Sequence, residues 1–143
     1  MAGYSGTPLV RKLGIKAGHR VALVNAPAGF TGALVDLPSD VDLCTDVAED
    51  VFDVVLNFAS ERADLARKFS TLARRLTPAG GLWIAWPKKA SGVATDLTED
   101  VIRQIGLDAG LVDNKVCAVD DTWSGLRFVR RLVDRPKKER AAK

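Results

Sequence analysis

Residues 82–100, LWIAWPKKASGVATDLTED, read as a buried strand, a loop carrying two lysines, and the capped start of a helix. Leu82 to Trp86 is continuously apolar, and Pro87 ends the ladder because its nitrogen has no hydrogen to donate. Lys88, Lys89, Ser91 and Thr95 occupy the loop. Asp96 with Glu99 forms a pair of the capping-box kind, with Thr98 as the competing cap. Val101, Ile102, Ile105 and Ala109 then recur at helical spacing as far as Gly110. A strand, a loop and a helix in this order build ligand sites at the carboxyl edge of a parallel sheet. Two ammonium groups before a helix N-terminus suit a phosphate or carboxylate, although a solvated loop is the plainer reading.

Upstream, Asp53 to Ala59 (DVVLNFA) reads as a second buried strand, and Ser60 as the cap of a helix over Glu61 to Leu76. Leu65, Phe69, Leu72 and Leu76 give that helix one apolar face, and Thr77-Pro78-Ala79-Gly80-Gly81 reads as a turn. Nearer the start, Thr7 and Pro8 open a short helix that stops at Gly14, and Arg20 to Asn25 is an interior parallel strand. Ala26-Pro27-Ala28-Gly29-Phe30 follows at the place of a phosphate-binding glycine turn. It keeps Gly29 and Gly32, but Pro27 supplies no N–H and the first glycine is missing. The pattern further predicts a helical piece over Phe30 to Leu37 and a strand over Val41 to Thr45. Asp46 falls where an acidic side chain holds ribose hydroxyls. The link from Thr45 to Val54 is short for a crossover between adjacent parallel strands.

Downstream, Val116 to Asp120 and Trp123 to Arg130 read as an antiparallel hairpin with alternating burial. These elements define an α/β fold: an abbreviated Rossmann-like three-layer domain over residues 1–132, mostly parallel, with a C-terminal antiparallel hairpin. Residues 130–143 carry seven basic and two acidic side chains against a chain total of +3. The body before them is therefore slightly acidic, and residues 133–143 read as a basic, disordered tail. No apolar run is long enough to span a membrane, and the first residues have no signal-peptide pattern, so a cytoplasmic protein is expected. Cys44 and Cys117 read as separate free thiols. The single histidine, His19, reads as a turn residue, so no metal cluster is expected.

From Asp53 onward the succession strand, helix, TPAGG, strand, helix, hairpin resembles the second half of class I S-adenosylmethionine methyltransferases. Three longer stretches are similar to a small bacterial family of unknown function. They are YSGTPLVRKLGIKAGHRVALVNAP, GGLWIAWPKKASGVATDLTEDVIR and KVCAVDDTWSGLRFVRR. That resemblance implies a stand-alone Rossmann-like domain and brings no catalytic set with it. The preferred reading is a non-enzymatic ligand-binding or regulatory domain for a small anionic or nucleotide-like ligand. Asn25, Ala26, Gly29, Asp46, Trp86, Lys88, Lys89 and Ser91 are its candidate binding residues, with no catalytic residue assigned. The alternative is a small transferase dependent on S-adenosylmethionine or a nucleotide, with Lys88 and Lys89 facing the acceptor. A third reading is an interaction protein acting through its final edge strand or its tail. Nucleic acid is expected only at that tail, and the sequence carries no signal for an oligomeric state.

Overall fold

The run FDVVLNF, Phe52–Phe58, offers almost nothing polar to either side, and β-branched and aromatic residues of this kind fit a strand covered on both faces. A computed structural model, which describes residues 7–48 and 50–134, places this run at the centre of the protein. The strands are β1 (Arg20–Val24), β2 (Asp42–Cys44), β3 (Phe52–Phe58), β4 (Leu76–Pro87), β5 (Leu111–Ala118) and β6 (Trp123–Arg130). They form one sheet in the order β2-β1-β3-β4-β6-β5. The first four are parallel, β6 runs antiparallel to β4, and β5 antiparallel to β6. The Rossmann-like expectation is met: an α/β sheet, mostly parallel, closing in an antiparallel hairpin.

The short link after the second strand has a simple cause. β2 pairs with β1, Arg20 opposite Asp42, while β3 pairs with the other side of β1. The chain from β2 to β3 therefore passes across β1 without a helix, and Val47 in that link is buried with the core residues of the helical face.

Three helices cover the sheet: α1 (Leu9–Leu13), α2 (Arg62–Ala73) and α3 (Glu99–Asp108). Leu65, Phe69 and Leu72 of α2 and Ile102 of α3 pack with Leu82, Ile84, Leu126 and Phe128 on one face. Phe128 is the hub: its ring meets Phe69 edge-on at 5.2 Å, an arrangement aromatic pairs favour. On its other side α3 approaches so closely that a Cβ on Gly106 would lie 2.1 Å from the ring. The opposite face has a thinner cover. Val10, Leu13, Ile15 and Phe30 pack there on Leu23, Leu56 and Trp83, and the Trp83 indole donates to the Leu13 carbonyl at 3.1 Å.

Several local expectations are corrected. Only Phe30–Ala33 is helical after β1, as a four-residue 3-10 turn, and not the span to Leu37. Pro8 occupies the cap position of α1, one residue before the expected place. Thr77 to Gly81 is no turn. It lies within β4, where Leu76 faces Phe52 and Gly81 faces Val54, so β4 bulges by several residues against β3. Ser60 does not cap α2. The first N–H groups of a helix need acceptors, and the Arg62 N–H finds Asp96 Oδ1 at 2.7 Å. Asp96 thus serves α2, while α3 is capped by Thr98, whose hydroxyl accepts from the Val101 N–H at 3.2 Å. Of the expected tail, Val133 and Asp134 belong to a 3-10 turn over Leu132–Asp134, and residues 135–143 lie outside the described residues.

The approach of α3 to β6 gives the first prediction. Gly106→Ala should lower the unfolding free energy by about 1–3 kcal/mol, the usual cost of overpacking a core. A urea midpoint equal to the parent's would show that Phe128 yields at no cost.

Candidate functional site

The chain leaves β1 in one direction along the sheet, towards β2, and re-enters on the other side at β3. At such a reversal the two crossovers diverge, and a crevice opens beyond the carboxyl ends of the strands. Asn25 closes β1 there with φ 60°, in the left-handed region that asparagine tolerates better than other side chains. Its Nδ2 donates to the Phe58 carbonyl at 3.1 Å, tying the end of β1 to the end of β3. Gly29, at φ 80°, then turns the chain into the 3-10 segment. Phe30 drops beneath it, edge-on to Phe58 at 4.9 Å, and Phe58 in turn meets Trp123 at 5.0 Å.

A crevice at the end of β1 holds about 340 Å³, with Leu23 and Phe30 as its floor. Asn25, Ala26, Pro27, Gly29, Thr31 and Thr45 form its walls. This lies at the small end of the range for ligand sites. Among the described residues its polar groups are one amide, two hydroxyls and main-chain atoms, with no lysine, arginine or carboxylate in the lining. Such a lining can hydrogen-bond and stack on a neutral ring system. It offers no general acid or base near neutral pH.

Of the expected residues, Asn25, Ala26 and Gly29 come together here. Asp46 lies next to the wall residue Thr45 but does not line the crevice, and its Oδ1 accepts from the Val47 N–H at 2.7 Å. Trp86 is 8% exposed and belongs to the core under α2 and α3. Lys88, Lys89 and Ser91 form a separate turn after β4. Its Lys88 N–H donates to the Thr122 carbonyl at 2.8 Å, and the Ser91 hydroxyl to the Lys88 carbonyl at 2.7 Å. The first turn of α3, downstream of them, carries Glu99 and Asp100.

Thr31 and Thr45 were not foreseen, because a lone threonine in a loop carries no signal of its own. Asn57 was also missed. It is buried in β3 between Val24 and Ile84, and its Oδ1 has no hydrogen-bond partner among the described residues. An amide enclosed by apolar residues, Leu56 and Phe58, was the available clue. Neither thiol lines the crevice. Loss of solvent raises the pKa of both, assisted at Cys44 by Asp42 and opposed at Cys117 by Lys12 and Lys115. His19 is a turn residue, its Nδ1 accepting from the Lys16 N–H at 3.1 Å. Among the described residues no group of three metal-ligating side chains occurs, and no helix is long and apolar enough to cross a membrane.

The left-handed turn at Asn25 can be checked directly. Asn25→Val should cost about 1–2 kcal/mol more than Asn25→Gly, because both lose the amide bond but only valine is strained at positive φ. Equal unfolding midpoints for the two variants would contradict this backbone geometry.

Solved structures share this architecture. The ribosomal protein L11 methylase from Lactobacillus delbrueckii subsp. bulgaricus matches with a TM-score of 0.61 and 14% identity, over 86% of this chain and 75% of the other. A SAM-dependent methyltransferase from Aquifex aeolicus matches at 0.58 and 16%, over 84% and 86%. Magnesium protoporphyrin IX methyltransferase from Synechocystis, with bound SAM, matches at 0.57 and 14%, over 86% and 74%. Identities this low carry the fold alone. Across such neighbours the chain spans from 47% to 86% of the other chain's length. No curated protein of known role matches the sequence. Residues 31–132 match the family model described as a protein of unknown function, DUF3052, and the chain belongs to that family.

Proposed function

We propose that this protein is a binding domain that holds a small nucleoside-type ligand, with S-adenosylmethionine as the first candidate, in the crevice at the carboxyl end of β1, between the loop after β1 and Thr45 after β2. The observation that carries the reading is the position of that crevice beyond the carboxyl end of β1, lined by Asn25, which also ties β1 to β3. The neutral lining favours a ligand recognised by hydrogen bonds and ring contacts. Phosphates gain little here. A four-residue 3-10 turn lacks the aligned peptide dipoles of a helix, and Pro27 withholds one N–H. The preference for binding over catalysis rests on the same lining, none of whose side chains titrates near neutrality.

A second reading is methyl transfer, favoured by the methyltransferases among the fold neighbours. Methyl transfer can proceed largely by positioning, so a neutral crevice is compatible with it.

Thermal unfolding with S-adenosylmethionine, its demethylated product, adenosine, ATP and NAD tests both. A ligand at ~100 times its dissociation constant adds ~2.7 kcal/mol of stability, which should move the midpoint of a chain this size by roughly 6–12 °C. A shift with S-adenosylmethionine or adenosine that exceeds any shift with ATP is expected. No shift with any of the five sinks the proposal. Transfer of a labelled methyl group to co-purified cell material would convert the binding reading into the second one.

A further inference from the structure

The far edge of the sheet is β5, which pairs with β6 on one side and, among the described residues, with no strand on the other. The hairpin-closing bond from the Val119 N–H to the Trp123 carbonyl, 2.9 Å, sets the alternation of this ladder. Val116 and Ala118 consequently turn their main-chain groups away from β6. The Lys12 ammonium takes the outward carbonyl of Ala118 at 3.4 Å. Val116 has 54% of its surface exposed.

Alongside this edge runs a groove of about 510 Å³ between α1 and β5. Arg11, Lys12 and Lys115 supply three positive charges to its walls, and Val116, Cys117 and Ala118 form the β5 side. No acidic side chain lines it among the described residues. A fourth cation stands beside it, because Lys115 and Arg127 are direct partners across β5 and β6. Like charges placed opposite one another destabilise a sheet.

We infer that β5 accepts an extended acidic segment of a partner protein as an added strand. The partner's main chain pairs with Val116, and its carboxylates meet Lys115, Lys12 and Arg11. Addition of a strand to a free edge supplies affinity through the main chain and specificity through alternate side chains. The same charges, together with the irregular register between Asp113 and Lys115, oppose pairing of β5 with a second copy of itself, which would bring two sets of cations together. A nucleic acid could use the cations but would leave the main-chain edge unpaired. This interface lies at the opposite edge of the sheet from β2 and does not rest on the ligand crevice.

The test uses the full chain labelled with nitrogen-15 and a synthetic peptide of alternating glutamate and valine, about as long as β5. Amide shifts centred on Val116 are expected at low salt, and should weaken as salt rises because exposed charges are screened. Lys115→Glu and, separately, Arg11→Glu should each weaken binding by about tenfold, equivalent to ~1.4 kcal/mol. Both positions are exposed, and a melting curve for each variant establishes that it remains folded. The inference is overturned by absent shifts, by equal binding of an alternating lysine–valine peptide, or by a single-stranded oligonucleotide that binds more tightly and leaves the β5 amides unmoved.

Discussion

Two strands with no polar face govern the architecture. β3 and the second half of β4 are buried on both sides, so the chain must supply a cover above and below them. On one side α2 and α3 meet this demand fully, drawn together over Phe128. On the other side the cover consists of a five-residue helix, a 3-10 turn and the ring of Trp83 held under Leu13. A hydrogen bond at the indole nitrogen matters there, since a buried N–H without a partner would oppose the packing that the ring provides.

The thin cover also shapes the candidate site. Where a longer crossover would place a helix after β1, this chain spends four residues on a single turn. The resulting crevice is small and neutral, walled by threonines and by an asparagine that doubles as a strand-to-strand tie. The methyltransferase-like fold is thus retained with a shortened first half.

Much of the fold was legible because long apolar runs leave little choice. RVALVN, DVVLNFA and LWIAW had to be strands, and the spacing of Leu65, Phe69 and Leu72 had to be a helix face. The turn after β1, with its incomplete glycine pattern, lines the crevice. What escaped was decided by partners distant in sequence. Asp96 stands three residues before Glu99 and has the form of a local cap, yet the Arg62 N–H lies closer to it in space. Thr77 to Gly81 has turn composition, but its flanks pair with β3, Leu76 with Phe52 and Gly81 with Val54, which draws it into an extended bulge. Between Lys88 and α3 the chain forms a 3-10 turn over Lys89–Ser91 that no local pattern announces.

The cap supplied by Asp96 has a consequence for synthesis of the chain. The ribosome releases α2 well before it releases Asp96, thirty-four residues after Arg62. Over that interval the first turn of α2 lacks its side-chain acceptor, and Thr95 has yet to bring its hydroxyl to the Ser60 carbonyl. The helix can form early, but its entry angle is set only when the segment before α3 arrives. The order of emergence thus makes the second half of the protein complete the first.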